Sequence, residues 1–185
     1  KTTTVFEYDS LDALTKSTIY RVNTADGNVV LTGAIPVFNQ RATIERAVRS
    51  ALAQKVEGLE VLVADNCSQD GTWEALQPFA NQGVRLHRNA ANIGLFGNFN
   101  RCLELSASPY LRLLAGDDAL APDCLRREIV LMERNVDLAM LSTRGRFVSP
   151  QGAAMGEFAN DLSPGIFDGS DFPRTWFSYY ARTRR

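Results

Sequence analysis

Histidine is nearly absent, for His87 stands alone in 185 residues. A metal site built on several imidazoles is excluded, and so is a Ser-His-Asp triad using any other histidine. His87 itself lies in VRLHRN at the end of an apolar run, which reads as a strand position rather than a base. Cysteine is scarce too. Cys67, Cys102 and Cys124 fit neither a zinc knuckle nor a CxxC redox pair, and read as free thiols of a reducing compartment. No run of about 18 apolar residues is long enough to span a bilayer. The opening KTTTVFEYDS lacks the charged-then-apolar order of a secretory leader. With a formal net charge of −1 there is no basic field to draw nucleic acid or an anionic membrane. Neither GxGxxG nor GxxxxGK[ST] occurs, which argues against a dinucleotide-binding dehydrogenase and a P-loop NTPase. Internal repeats are lacking as well.

What is present is an ordinary soluble composition, 45% apolar and 22% charged, in a length that suits one domain with a sizeable core. Residues 1–28 are weakly patterned and read as an N-terminal extension with one short helix near Ser10–Lys16. Beyond them the chain alternates. Val29–Val37 is a β-branched, almost wholly apolar run, as expected of a strand buried on both faces. Arg41–Gln54 places Ile44, Ala47, Val48, Ala51 and Leu52 on one helical stripe. Leu59–Ala64, Val84–His87 and Tyr110–Leu114 read as further strands, and Val136–Val148 as a strand or strand pair. Helices are expected at Thr72–Ala80, shortened or bent by Pro78, at Leu95–Ser106 with Phe96, Phe99 and Leu103 on its apolar face, and at Pro122–Arg134 with Leu125, Ile129 and Met132 inward. This order predicts an α/β fold of βαβ units with a mainly parallel sheet flanked by helices. Gln151–Asp171, rich in glycine, reads as a long loop, and FPRTWFSYYA as a closing helix capped by Ser170 or Asp171.

Ligands of open parallel sheets gather at the carboxyl ends of the strands, and three polar motifs fall there. Pro36-Val37-Phe38-Asn39 reads either as a strand end with Asn39 capping a helix, or as a platform on which Phe38 stacks against a planar base. Asp65-Asn66-Cys67-Ser68-Gln69-Asp70-Gly71-Thr72 is a turn and helix start whose side-chain oxygens are also able to accept from a base N–H. Leu114-Ala115-Gly116-Asp117-Asp118 sets two carboxylates side by side, which repel each other unless a cation offsets them. Mg²⁺ or Mn²⁺ suits such oxygens, and Gly116 leaves room for a ligand against the backbone.

In this order IPVFN, VLVADNCSQDGT, NAANIGLFGNFN and LAGDDALAPDCL resemble the inverting family 2 glycosyltransferases, over about residues 29–134. The resemblance implies a GT-A (Rossmann-like) fold, with residues 29–150 as a nucleotide-sugar-binding domain and 151–185 as the start of an acceptor-side region. It implies that Pro36 and Phe38 contact the base, that Asp65 and Asn66 hold its edge, and that Gly94 and Asn100 shape the adjoining wall. Gly116 would lie by the ribose and Asp117 would bind the metal, with Asp118 as the weaker candidate. The implied partners are a nucleoside-diphosphate-sugar donor and a glycan or lipid-linked acceptor, in the cytoplasm or peripheral to the membrane.

Two positions depart from the family pattern. DDGS is Asp65-Asn66-Cys67-Ser68 here, and the first Asp of DxD is Ala115. No general base is identified: Glu157, Asp161, Asp168 and Asp171 do not match its position, and the chain reads as truncated on the acceptor side. Metal-dependent transfer and donor binding without turnover both follow from this reading.

Overall fold

The computed structural model describes residues 2–5, 17–21, 29–143, 145–149, 153–158 and 165–168. Two strands, β1 (Thr2–Val5) and β2 (Ser17–Arg21), precede the alternating segment. That segment runs β3 (Leu31–Val37), α1 (Ile44–Leu52), β4 (Leu59–Asp65), α2 (Thr72–Ala80), β5 (Arg85–Arg88), α3 (Leu95–Leu105), β6 (Tyr110–Leu113) and α4 (Cys124–Arg134). After it come β7 (Leu138–Thr143), β8 (Gly145–Val148), β9 (Ala154–Phe158) and β10 (Gly165–Asp168). Eight strands form one sheet in the order β10-β1-β7-β2-β6-β3-β4-β5, and β8 and β9 pair separately.

The α/β class and the four predicted strand–helix steps hold. β6, β3, β4 and β5 are mutually parallel, each joined to the next in sequence by a helix. All seven residues of β3 are buried, because helices cover both faces of the sheet. Alternation along the strands sorts the side chains between them. Leu31, Ile35, Val37, Val61 and Val63 pack with Ile44, Val48, Leu76, Phe79, Leu125 and Met132, the inward stripes of α1, α2 and α4. Ala34, Leu62, Ala64 and Leu111 point the other way and meet Cys102 of α3.

Three expectations need correction. Residues 2–5 and 17–21, read as an extension, form strands of the main sheet, with β2 antiparallel to both β6 and β7. The stretch read as a long loop at 151–171 contains β9 and β10. In α3 the buried residues are Asn98 and Cys102, whereas Phe96 is 80% and Leu103 42% exposed. Cys102 packs there on Ala34, Leu62, Ala64 and Leu111, and Asn98 is drawn inward by its hydrogen bond to Ala64 O at 2.8 Å. The closing helix and the one near Ser10–Lys16 lie outside the described residues.

Candidate donor site at the sheet edge

The first two motifs are stapled to each other. Three successive backbone N–H groups after β3 each donate to a side chain of the loop after β4 or of the first residue of α2. Asn39 N donates to Ser68 Oγ at 2.9 Å, Gln40 N to Thr72 Oγ1 at 2.9 Å and Arg41 N to Asp70 Oδ2 at 3.0 Å. In return Gln69 N donates to Asn39 Oδ1 at 2.9 Å. Asn39 therefore accepts from a backbone amide, but of the neighbouring loop. The residue at the cap position of α1 is Thr43. Asn39 and Cys67 have φ of 52° and 64°, the left-handed region that asparagine enters readily. Cys67 occupies the Gly position of the DDGS pattern, where glycine would adopt that φ at no steric cost. Asp70 is held ionised below its ordinary range. Burial pushes its carboxyl up, but hydrogen bonds from the Thr72 hydroxyl and from the Arg41 and Thr72 amides outweigh that.

Of the residues expected at the base, Phe38 is 42% exposed at the strand tip and Pro36 is buried within β3. Asp65 is fully buried and already engaged. Ser68 N donates to its carboxylate at 3.2 Å and Arg88 Nε lies 3.2 Å from Oδ2. Arg88 also donates to Ser68 O at 2.7 Å and stacks over Trp73 at 5.3 Å. Arg88 belongs to none of the three motifs and is the cationic partner that a buried carboxylate needs.

Asn66 is the node of a second network. Its Oδ1 accepts from Asn89 Nδ2 at 3.0 Å and Ile93 N at 2.9 Å, and its Nδ2 donates to Asn92 Oδ1 at 2.8 Å and Gly94 O at 3.2 Å. Asn89 continues the chain to Asn98 Oδ1 at 2.9 Å, and Asn98 Nδ2 reaches Ala64 O at 2.8 Å. His87 Nε2 lies 3.2 Å from Asn89 Oδ1, which gives the one histidine a structural partner. Gly94 opens α3 at a φ of 79°, where a side chain would be strained. Asn100 lies exposed on α3, and it is Asn98 that faces the network.

The third motif turns after β6. Gly116 is buried, and a Cβ there would collide with Gln40 Oε1 and press on Val37. The room left by this glycine is thus taken up by the loop after β3, and not left open to a ligand. Gln40 Oε1 is itself a buried acceptor without a hydrogen-bond partner. Asp117 is exposed, its carbonyl accepting from Arg46 Nη2 at 2.8 Å. Asp117 lines an open cavity of about 720 Å³ together with Asn39, Gln40, Arg41, Ala42, Thr43 and Asp70. Asp118 is half-buried. Burial and the neighbouring Asp117 charge push its carboxyl up to about 6, against the lowering pull of Arg112 and Arg46. Among the described residues no group of three or more His, Cys, Asp or Glu is placed to hold a metal. Asp117 and Gln40 line the cavity together, and a carboxylate with an unpartnered amide oxygen is a donor set of the kind a hard cation takes, its remaining oxygens coming from a ligand.

Comparison with known proteins identifies the family and the fold. The model of "Glycosyl transferase family 2" matches residues 34–183. The succinoglycan biosynthesis protein ExoO of Rhizobium meliloti is 35% identical over 99 residues, 54% of this chain and 28% of that protein. Chondroitin synthase of Pasteurella multocida is 31% identical over 129 residues, 68% of this chain and 13% of that one. In fold, S. aureus TarS in complex with UDP-GlcNAc superposes with a TM-score of 0.55 at 19% identity, over 58% of this chain and 32% of TarS. The chain thus spans about a third or less of these proteins' lengths. With a family model matched over most of its length and a GT-A sheet edge to carry the motifs, the chain belongs to glycosyl transferase family 2.

Proposed function

We propose that this chain forms the donor side of a glycosyltransferase of polysaccharide synthesis, acting with inversion on a nucleoside-diphosphate-sugar. Residues 29–150 would hold the donor and 151–185 would open the acceptor side, in the cytoplasm or at a membrane surface. The observation that carries this is the placing of Asp117, exposed on a turn and lining the 720 Å³ cavity at the carboxyl edge of the parallel strands. The names of the relatives support a glycan product, and UDP-GlcNAc bound by TarS supports the donor class.

In this reading Phe38 offers a face to the base. Asp117 would hold Mg²⁺ or Mn²⁺, which when bound supplies positive charge to the departing diphosphate. Arg46 fixes the Asp117 carbonyl and so the turn that presents the carboxylate. The acceptor hydroxyl attacks the anomeric carbon as the bond to the diphosphate breaks, and its proton must pass to a base. A second reading, donor binding without turnover, has its own support. Of the carboxylates among the described residues that line the cavity, Asp70 is engaged by Arg41 and Thr72, and Asp117 is assigned to the cation, so neither of these is left as that base.

Calorimetric titration of UDP and GDP with and without Mn²⁺ tests the donor site. Wild type should bind one of them in a Mn²⁺-dependent way, and Asp117→Ala should weaken that binding by tenfold or more. Absence of any binding, or Mn²⁺-dependent binding unchanged in Asp117→Ala, would overturn the reading. Sugar transfer by a longer chain but not by this one would favour the second.

A further inference from the structure

Position 66 belongs to a motif that invites the expectation of contact with the base, yet its side chain has nothing left to offer one. A carboxamide has two donor hydrogens and one oxygen with two acceptor sites. Asn66 uses all four, toward Asn89, Ile93, Asn92 and Gly94, and is 2% exposed. The orientation of its amide is fixed by chemistry, because the Ile93 backbone N–H can only donate and so must face the oxygen. Three of the four bonds reach residues 92–94, one of them to each of those residues. The backbone N–H of Asn66 is spent too, on Val37 O at 2.8 Å.

We propose that Asn66 is a positioning residue of the nucleotide site that does not itself read the base. It fixes the wall at 89–94 through a carboxamide that a carboxylate cannot replace. The proposal rests on the donor-site reading for its functional consequence, whereas its structural half stands without a ligand. Ile93 N and Gly94 O are the two ends of one short stretch of backbone that Asn66 grips as a clamp. Asn92 closes the ring, its Oδ1 accepting from both Asn66 Nδ2 and Gly94 N at 2.8 Å. That stretch leads directly into α3, which begins at Leu95, so the clamp also sets where the helix starts. An ionised carboxyl at position 66 would still accept from Asn89 and Ile93. It would also place negative oxygen against Asn92 Oδ1 and Gly94 O, two acceptors with no hydrogen between. Asparagine is thus required by the wall of this chain, independently of what the base presents.

The test compares Asn66→Asp, Asn66→Ala and Asn92→Ala by amide hydrogen exchange without ligand and by UDP and GDP affinity with Mn²⁺. Asn92→Ala removes an exposed side chain, so it retains the fold even if the buried variants do not. Exchange at Gly94 should rise about tenfold in Asn66→Asp and in Asn92→Ala, and at Ile93 in Asn66→Ala, which removes the acceptor of its N–H. Affinity for both nucleotides should fall together, with their ratio unchanged. As the pH is lowered, Asn66→Asp should recover toward wild type, since the protonated carboxyl regains one donor, and Asn66→Ala should not. A tenfold change in the UDP-to-GDP ratio with exchange at 93–94 unchanged would overturn the proposal, because residue 66 would then be reading the base. If wild type binds neither nucleotide, the donor-site reading fails, while the exchange data still decide whether Asn66 holds the wall.

Discussion

From β6 to β5 the main sheet is parallel, and its strands arrive in sequence with a helix between each and the next. From β10 to β2 it is drawn from both ends of the chain, and only β1 with β7 is parallel. The first half carries every motif of the site at its edge. The second half reaches the site through β6 alone, which pairs with β3 on one side and β2 on the other. The contrast shows how a sequence-local half is held by a half that is not. β2 lies between β6 and β7 and hydrogen-bonds to both, so it closes what would otherwise be two open edges. A chain beginning at Val29 would leave both edges bare. It should lose cooperative unfolding and associate, as thermal melts and size-exclusion chromatography would register. A monomer with an unchanged melting temperature would break the comparison, since the second half would then be dispensable to the first.

The same junction is tied from the helix side. Arg112 of β6 and Glu128 of α4 form an ion pair at 3.0 Å with both side chains 1% exposed. Glu128 Oε1 also accepts from Cys124 Sγ at 3.3 Å and from Thr143 Oγ1 of β7 at 3.4 Å. One carboxylate thus bonds to the two strands that flank β2. Removing it leaves a buried guanidinium without its counter-charge, and Glu128→Ala should cost about 3–5 kcal/mol in urea unfolding. Replacing both partners with apolar residues of similar size should cost far less, because no charge is then stranded. If the double replacement is as damaging as the single one, the pair is holding the junction by its specific bonds rather than by neutralising Arg112.

The two halves also differ in how far they can be read without a structure. β3, β4 and β6 announce themselves as apolar runs because both faces are buried, and α1 and α4 show an apolar stripe at helical spacing for the complementary reason. β1 and β2 are four and five residues long, TTTV and STIYR, and their partners lie far along the chain, at β6, β7 and β10. Nothing local marks such pairing. α3 misled for a different reason. Its inward residues are Asn98, held by a hydrogen-bond network, and Cys102, an inconspicuous member of the apolar cluster, so the hydrophobic pattern points to the wrong face. At the site the motifs are legible as strings, whereas the roles within them depend on partners. Ser68, Asp70 and Thr72 look like generic turn residues until Asn39, Gln40 and Arg41 are seen opposite. Arg46 and Arg88 belong to no motif and enter through geometry alone.

The smallest effect expected sharpens the parallel half at its edge, where loops rather than strands meet. Asp70 joins the loop after β3 to the start of α2 through Arg41 N, Thr72 N and the Thr72 hydroxyl. These bonds favour its ionised form, so its carboxyl titrates below 3.8 in the folded chain. A group depressed in the folded state contributes stability above its unfolded pKa and loses it as the pH falls through the folded one. Asp70→Asn keeps the shape of the side chain but turns an amide N–H toward one of these donors. Because the carboxylate is exposed and screened by solvent, the loss at pH 7 should be about 1 kcal/mol or less. The gap between wild type and variant should stay constant from pH 7 down to about 5 and close as the pH drops below the unfolded value near 3.8. Urea unfolding at pH 7, 5 and 3 would show this, and a gap that persists at pH 3 would mean the staple acts through packing of the loops and not through the charge on Asp70.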